Sequence, residues 1–141
     1  MLKLLRKLWE NLRKGEAREA AELIRQHLAD QLSKIPYGEA EKTIRKCDPR
    51  DAYSLAYYIV FNHLKASNPA ACVLLKRLLK TNFGRVAEIL GNYEIIVEEV
   101  YRLNPKLGSL LKTRKGRLFT YYVSYYTYQL LHYLAFGKYR D

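Results

Sequence analysis

The sequence contains none of the short motifs that carry common catalytic chemistry. There is no P-loop, no GxSxG nucleophile turn and no GxGxxG dinucleotide fingerprint. The histidines, His27, His63 and His132, are isolated from one another and from any cysteine or carboxylate in a metal-ligand register. We therefore expect no catalytic residue, no metal site and no cofactor, and we predict that the protein is not an enzyme.

Carboxylates at helical spacing leave one alternative open. Glu94, Glu98 and Glu99 lie on one predicted helix face, where they could converge on a metal ion as the acids of a nuclease do. The same glutamates can instead pair with Arg102, three to four residues beyond Glu98 and Glu99, and this is the interpretation that we prefer.

Cysteine is also scarce. Cys47 and Cys72 stand far apart and form no CxxC pair, so the chain has no disulfide framework and is typical of a reducing compartment. The first residues, MLKLLRKLWENLRK, are basic and apolar, but charges interrupt every short apolar run. They therefore lack the apolar centre of a signal peptide, and we expect the protein not to be secreted.

Strand-like alternation is absent as well, whereas apolar residues recur at helical spacing almost everywhere. Asp48 and Pro49 predict the start of one helix, as N-cap and first-turn residue. We expect one helix to end at residues 81–84 (TNFG), and the next to run from Arg85 to Leu103 with a disturbance at residues 91–92. The predicted fold is an all-α bundle of six to eight helices in a single domain.

The first 47 residues are more polar and more continuously helical than the rest of the chain. Residues 1–47 are therefore predicted to form either an extended basic N-terminal arm or helices packed on the outside of the bundle. Residues 48–141 are predicted to form the bundle itself.

Acidic residues are few in relation to basic ones, since 25 Lys and Arg against 14 Asp and Glu give a net charge of +11. Such an excess makes a protein repel itself unless a polyanion neutralises it; nucleic acid is the commonest such partner and an acidic membrane surface the second. The cations are clustered, and residues 65–85 and 102–117 contain no acid at all. This segregation is typical of polyanion binders. Because no base-reading module is recognisable, we expect contacts mainly to phosphates.

The segment KTRKGR (112–117) is the sharpest basic element, because a flexible Gly116 among four cations could wrap a phosphate backbone; the alternative is a solvated loop. A peripheral membrane protein using residues 1–14 is a third possibility, but it leaves the other two clusters unexplained. The predicted nucleic-acid-binding residues are Lys3, Arg6, Lys7, Arg13, Lys14, Arg18, Lys76, Arg77, Lys80, Lys112, Arg114, Lys115 and Arg117.

Charge is missing altogether between Arg117 and Lys138, in a stretch rich in tyrosine. The stretch is long enough to span a membrane, but its tyrosines and its central Ser124, Thr127 and Gln129 argue against a span. We expect a helix that is buried all round, either in the centre of a bundle or against other subunits. Its tyrosines either form an interface or belong to the core with their hydroxyls at the rim. The residues predicted for a subunit interface are Tyr121, Tyr122, Tyr125, Tyr126, Tyr128 and Tyr133.

The basic amphipathic start and the tyrosine-rich uncharged last helix, in a small all-helical chain, resemble two groups of proteins. The first is the major capsid proteins of filamentous viruses of hyperthermophilic archaea, in which a helical arm and bundle wrap double-stranded DNA and many copies stack into a filament. The second is the helical small subunit of type III CRISPR interference complexes. Both resemblances are architectural, so no functional residue is carried over from either group.

The capsid resemblance implies a non-enzymatic coat subunit, located in a virion or the host cytoplasm, that binds double-stranded DNA and other copies of itself or a related subunit. RNA is possible as the partner, and the CRISPR small subunit is the alternative. The coat is favoured because it uses the clustered cations, the tyrosine helix and the lack of catalytic motifs together.

Overall fold

The computed structural model describes residues 17–65 and 69–140. In these ranges the chain forms helices and no strand, so the predicted all-α bundle of six to eight helices is confirmed. A π-helical segment, Tyr58–Lys65, continues the third helix without a loop. The α-helices are α1 (Ala17–Ser33), α2 (Tyr37–Lys46), α3 (Pro49–Tyr57), α4 (Pro69–Gly91), α5 (Tyr93–Leu103), α6 (Pro105–Leu111) and α7 (Arg114–Phe136).

Local chemistry sets where several helices begin. Asp48 caps α3 by accepting a hydrogen bond from the backbone N–H of Arg50 at 2.9 Å, and Pro49 occupies the first turn, as predicted. The Arg50 guanidinium also bonds the Asp48 carboxylate, and these bonds hold the pKa of Asp48 below its usual value. Asn104 caps α6 in the same way, with Pro105 after it. These caps satisfy backbone donors that a helix cannot satisfy itself.

The break predicted at residues 81–84 is present as a kink, and the disturbance predicted at residues 91–92 is a full helix boundary. The helix expected to end at residues 81–84 continues to Gly91, with a kink at Asn82 (φ −134°, ψ 27°). It continues because Phe83 and Val86, beyond the kink, are buried in the core. Asn92, in the pair predicted to disturb a helix, separates α4 from α5.

Helix α7 runs through the bundle and packs mainly against α3 and α4, while α1 packs against α4 and α5. Ala21, Leu28 and Leu32 of α1 are almost fully buried, so α1 contributes directly to the common core. The first sixteen residues of the predicted arm lie outside the described part of the chain.

Helix α7 buries one face against its own chain, so burial all round within the bundle is wrong, while burial of its other face against other subunits stays a prediction. Gly116, Thr120, Val123 and Thr127 lie on the inner face and are buried, with leucines continuing the stripe. The hydroxyls of Thr120 and Thr127 donate to carbonyls four residues earlier, at 2.8 and 2.7 Å, and the Ser124 hydroxyl donates to the carbonyl of Leu90 on α4. Small residues therefore allow α4 to approach closely, and the bulky tyrosines lie at the sides and on the outer face.

Gly116 is not the flexible loop residue that the sequence suggested. It lies in the first turn of α7 and is buried against the end of α6. A Cβ at this position would lie only 2.5 Å from Leu111 Cα and would also clash with the carbonyl oxygen of Leu110. Glycine is present because the backbones of α6 and α7 are too close for any side chain.

Candidate nucleic-acid interface

The first turn of α7 carries Arg114, Lys115 and Arg117 and no acidic residue. Thr113 caps this turn, its hydroxyl oxygen accepting a hydrogen bond from the N–H of Gly116 at 3.2 Å. The beginning of a helix carries partial positive charge, so acids are favoured there and cations are not. Natural sequences break such local rules mainly where function requires it. A bound anion would offset the repulsion between these cations and the positive end of the helix, and so would stabilise this turn.

The cations around this turn are compensated to different degrees. Arg114 is exposed and has no ion-pair partner among the described residues. Lys115 donates from Nζ to the carbonyl of Arg45 at 2.9 Å, a neutral acceptor that leaves its charge unbalanced. Arg117 and Lys112 are partly neutralised, with nitrogen–oxygen distances of 3.3 Å to Glu94 and 3.5 Å to Glu98. Arg114 and Lys115 are therefore the cations most available to a phosphate.

The end of α2 adds cations that the sequence reasoning did not include. The Lys115 bond to Arg45 and a contact from Cys47 Sγ to the carbonyl of Lys115, at 3.6 Å, hold this end against the start of α7. Lys46 is exposed there and has no ion-pair partner in the described ranges. Burial raises the pKa of the Cys47 thiol, and the Lys115 charge opposes that rise. The signal in the sequence was the adjacent basic pair at residues 45–46, but basic residues are common at the C-terminal end of any helix.

The outer face of α7 presents an exposed strip beside these cations. We call Arg114, Leu118, Tyr121 and Tyr125 the α7 strip, because the last three stand four, seven and eleven residues beyond Arg114 and so share one helix face. Leu118 and Tyr121 are each 43% exposed. The rings of Tyr121 and Tyr125 are stacked, with centroids 6.2 Å apart and planes 30° apart. The strip therefore joins a free cation to two aligned aromatic rings.

The other predicted interface tyrosines are divided between two environments. Tyr126 packs edge-on against Tyr53 of α3, at 5.5 Å between ring centroids, while Tyr133 lies against Tyr139 near the C-terminal end. Tyr122 is half-buried between these groups and the strip. Tyr128 is also half-buried, and burial, followed by the neighbouring Tyr125 hydroxyl, raises its pKa. Ring contacts thus link five of the six predicted tyrosines through Tyr121 and Tyr125, while Tyr133 packs against Tyr139.

Residues 137–140, which we call the C-terminal strap, fold back over the distal half of the outer face. Gly137 reverses the chain at φ 75°, a conformation that favours glycine. The side-chain amide of Gln129 accepts from the backbone N–H of Arg140 at 2.6 Å and donates to its carbonyl at 3.0 Å. His132 Nδ1 lies 2.6 Å from the carbonyl of Lys138. Towards the start of α7, Leu118 and Tyr121 remain exposed and Tyr125 is half-buried.

A second group of predicted cations lies towards the other end of α7. Lys76, Arg77 and Lys80 belong to α4, whose later residue Phe83 contacts Phe136 at 6.1 Å between ring centroids. Helix α7 is about 33 Å long from its first residue to its last at 1.5 Å per residue. The two groups are therefore well separated.

The remaining predicted cations do not join either group. Arg18 is bound to Glu22 at 3.2 Å on α1. Lys3, Arg6, Lys7, Arg13 and Lys14 lie outside the described residues.

The acidic residues that could have suggested a nuclease are already engaged in ion pairs. Glu94 and Glu98 pair with Arg117 and Lys112 as described above, and Glu99 pairs with Arg102 at 3.0 Å. Within residues 17–65 and 69–140, no group of His, Cys, Asp and Glu side chains could hold a metal ion. No helix in these ranges is both long and apolar enough to cross a membrane.

A cavity of about 340 Å³ lies beneath α2. Its floor is apolar, with Leu55, Leu111 and Phe119, and its mouth carries charges of both signs, including Lys42 and Asp51. The described lining residues include neither histidine nor cysteine.

Comparison of the chain with protein-family models, curated proteins and solved structures finds no match. The chemistry of the α7 strip and of its neighbouring cations is therefore the basis for assigning a function.

Proposed function

We propose that this protein is a non-enzymatic structural protein that binds nucleic acid through its phosphates. The observation that carries the proposal is the concentration of Arg114, Lys115 and Arg117 in the first turn of α7, where the backbone itself is positively polarised. Phosphate is the anion best suited to such a turn, because backbone N–H groups and side-chain cations act on it together. Lys46 at the end of α2 extends the same basic surface.

The finer form of the proposal is a coat subunit that packages double-stranded DNA in a helical filament. Cations near both ends of α7 support it, because a coat needs many phosphate contacts in each subunit. Exposed rings such as Tyr133 and Tyr139 also support it, since they offer apolar surface for contacts between subunits. The second candidate is a small helical subunit of an RNA-guided complex, and the α7 strip favours it by placing rings beside a free cation.

The test is a titration of the purified protein onto long double-stranded DNA and onto single-stranded RNA at about physiological salt, followed by electron microscopy. A coat predicts regular filaments and protein bound in proportion to polymer length. An RNA-guided subunit predicts discrete binding to RNA without filaments.

Arg114→Ala tests the site within the same titration. On duplex DNA we expect it to lower the slope of log affinity against log salt by about 0.9, the value for one lost phosphate contact. Arg102→Ala is the matched control, because it removes the same charge from an arginine already paired with Glu99. Equal slopes for the two variants would exclude the first turn of α7 from the site, and no binding to either polymer would refute the proposed function.

A further inference from the structure

We infer that the α7 strip binds a single-stranded nucleic acid, with its unpaired bases stacked on Tyr121 and Tyr125 and a phosphate at Arg114. The inference rests on the proposed function and changes its preferred partner, because the sequence favoured a duplex. At the phosphate site itself, a duplex needs cations but makes no stacking contact with neighbouring rings, since duplex bases already stack on one another. Single strands, in contrast, are commonly bound by a basic surface that carries aromatic rings.

The exposure of the strip carries the first step. Tyr121 and Leu118 are both 43% exposed although α7 is the helix around which α3 and α4 pack. An exposed leucine alone would be unremarkable, but here it stands between a free arginine and two rings on the same face. A base packed on the apolar side chains of the strip would therefore lie close enough to Arg114 for the neighbouring phosphate of the strand to reach it.

The rings are held in place before any ligand arrives. Tyr93 packs edge-on against Tyr121 at 5.7 Å between centroids, and Tyr128 packs edge-on against Tyr125 at 5.2 Å. The Tyr125 hydroxyl also accepts a hydrogen bond from Gln129 at 3.1 Å. Rings that are fixed in this way lose little conformational freedom on binding, which favours affinity.

Charge identifies the partner as a polyanion and not as a second copy of this chain. Helix α7 contains no acidic residue, and the whole protein carries a net charge of +11, so copies would repel one another at this surface. Tyr125 stands eleven positions beyond Arg114, an offset of about 16 Å along the helix. That length corresponds to roughly five stacked nucleotides at 3.4 Å each.

The experiment compares a short fluorescently labelled single strand with a hairpin duplex of the same composition, by anisotropy at one salt concentration. We expect wild-type protein to bind the single strand more tightly. Tyr121→Leu should weaken single-strand binding roughly 5- to 150-fold, the range for one lost base stack, and leave duplex binding unchanged. Tyr57→Leu is the matched control, because Tyr57 is 47% exposed on α3, away from the strip, and should change neither affinity.

Tyr125→Leu is the second variant, and circular dichroism checks that it folds. In a separate experiment, a strand carrying 5-iodouracil should crosslink to the peptide that contains Tyr121 and Tyr125. Equal affinity for both probes, with no effect of Tyr121→Leu, would overturn the inference and leave the proposed function standing. If neither probe binds, both this inference and the proposed function are refuted. Loss of self-association in Tyr121→Leu, measured by sedimentation with single-strand binding intact, would reassign the strip to contacts between copies.

Discussion

Replacement of Gly116 by alanine separates two physical accounts of the KTRKGR segment. If Gly116 were a flexible loop glycine, as its sequence context suggests, alanine would be neutral or would stabilise the protein by about 0.4–1 kcal/mol, because it restricts the unfolded chain. In the structure, an alanine Cβ would lie 2.5 Å from Leu111 Cα, whereas carbon atoms in contact normally lie about 3.5–4 Å apart. We therefore expect a loss of stability.

The magnitude follows from two opposing terms. An extra methyl group in a well-packed site costs about 1–3 kcal/mol, and the upper end applies here because the clashing atoms belong to the backbone and cannot change rotamer. Alanine regains about 1 kcal/mol of intrinsic helix propensity. The net expectation for Gly116→Ala is a decrease of about 2 kcal/mol in the free energy of unfolding.

The assay is urea unfolding followed by far-ultraviolet circular dichroism, with Gly84→Ala as the control. Gly84 lies in α4, and a Cβ there would meet nothing within 4 Å, so alanine should raise stability by up to about 1 kcal/mol. Opposite signs for the two variants are the expected result. A Gly116→Ala protein at least as stable as the wild type would show that the close approach of α6 and α7 is not real.

Two further predictions concern the strap and the tyrosines that it touches. Gln129→Leu should accelerate hydrogen exchange at the Arg140 amide and cost about 1 kcal/mol of stability, because two bonds to the strap are lost; unchanged exchange would contradict the Gln129–Arg140 contact. The hydrogen bond to Tyr139 raises the pKa of Tyr53 to about 12, so between pH of about 10 and 12 the folded protein keeps a proton that the unfolded chain has lost, and stability falls as pH rises. Tyr139→Phe should lower the pKa of Tyr53, as measured by phenolate absorbance against a Tyr53→Phe reference, and an unshifted titration would refute this coupling.

The parts of the fold that sequence predicts well are those controlled by neighbours in the chain. Asp48 and Pro49 define the start of α3 because a cap and its first turn involve only a few consecutive residues. The break expected at residues 81–84 is reduced to a kink for the opposite reason. Burial of Phe83 and Val86 against distant helices favours a kinked continuation at Asn82, and no local pattern reports that burial.

The orientation of α7 was partly readable. Gly116, Thr120, Val123 and Thr127 recur at helical spacing, and this stripe of small residues marks the face on which another helix approaches. The tyrosine-rich, uncharged composition instead indicated burial on every side of the helix, which the stripe of small residues does not require. The contacts of Lys115 with the end of α2 could not be predicted, because they join residues about seventy positions apart.

The hydrogen bonds between the Gln129 side chain and the strap involve only main-chain atoms of Arg140. Recognition of this kind depends on backbone shape and is indifferent to the side chain presented. The strap should accordingly tolerate wide substitution at position 140, with proline excluded because it has no N–H to donate. A substitution at position 140 can therefore change the charge beside the outer face of α7 without changing the path of the chain.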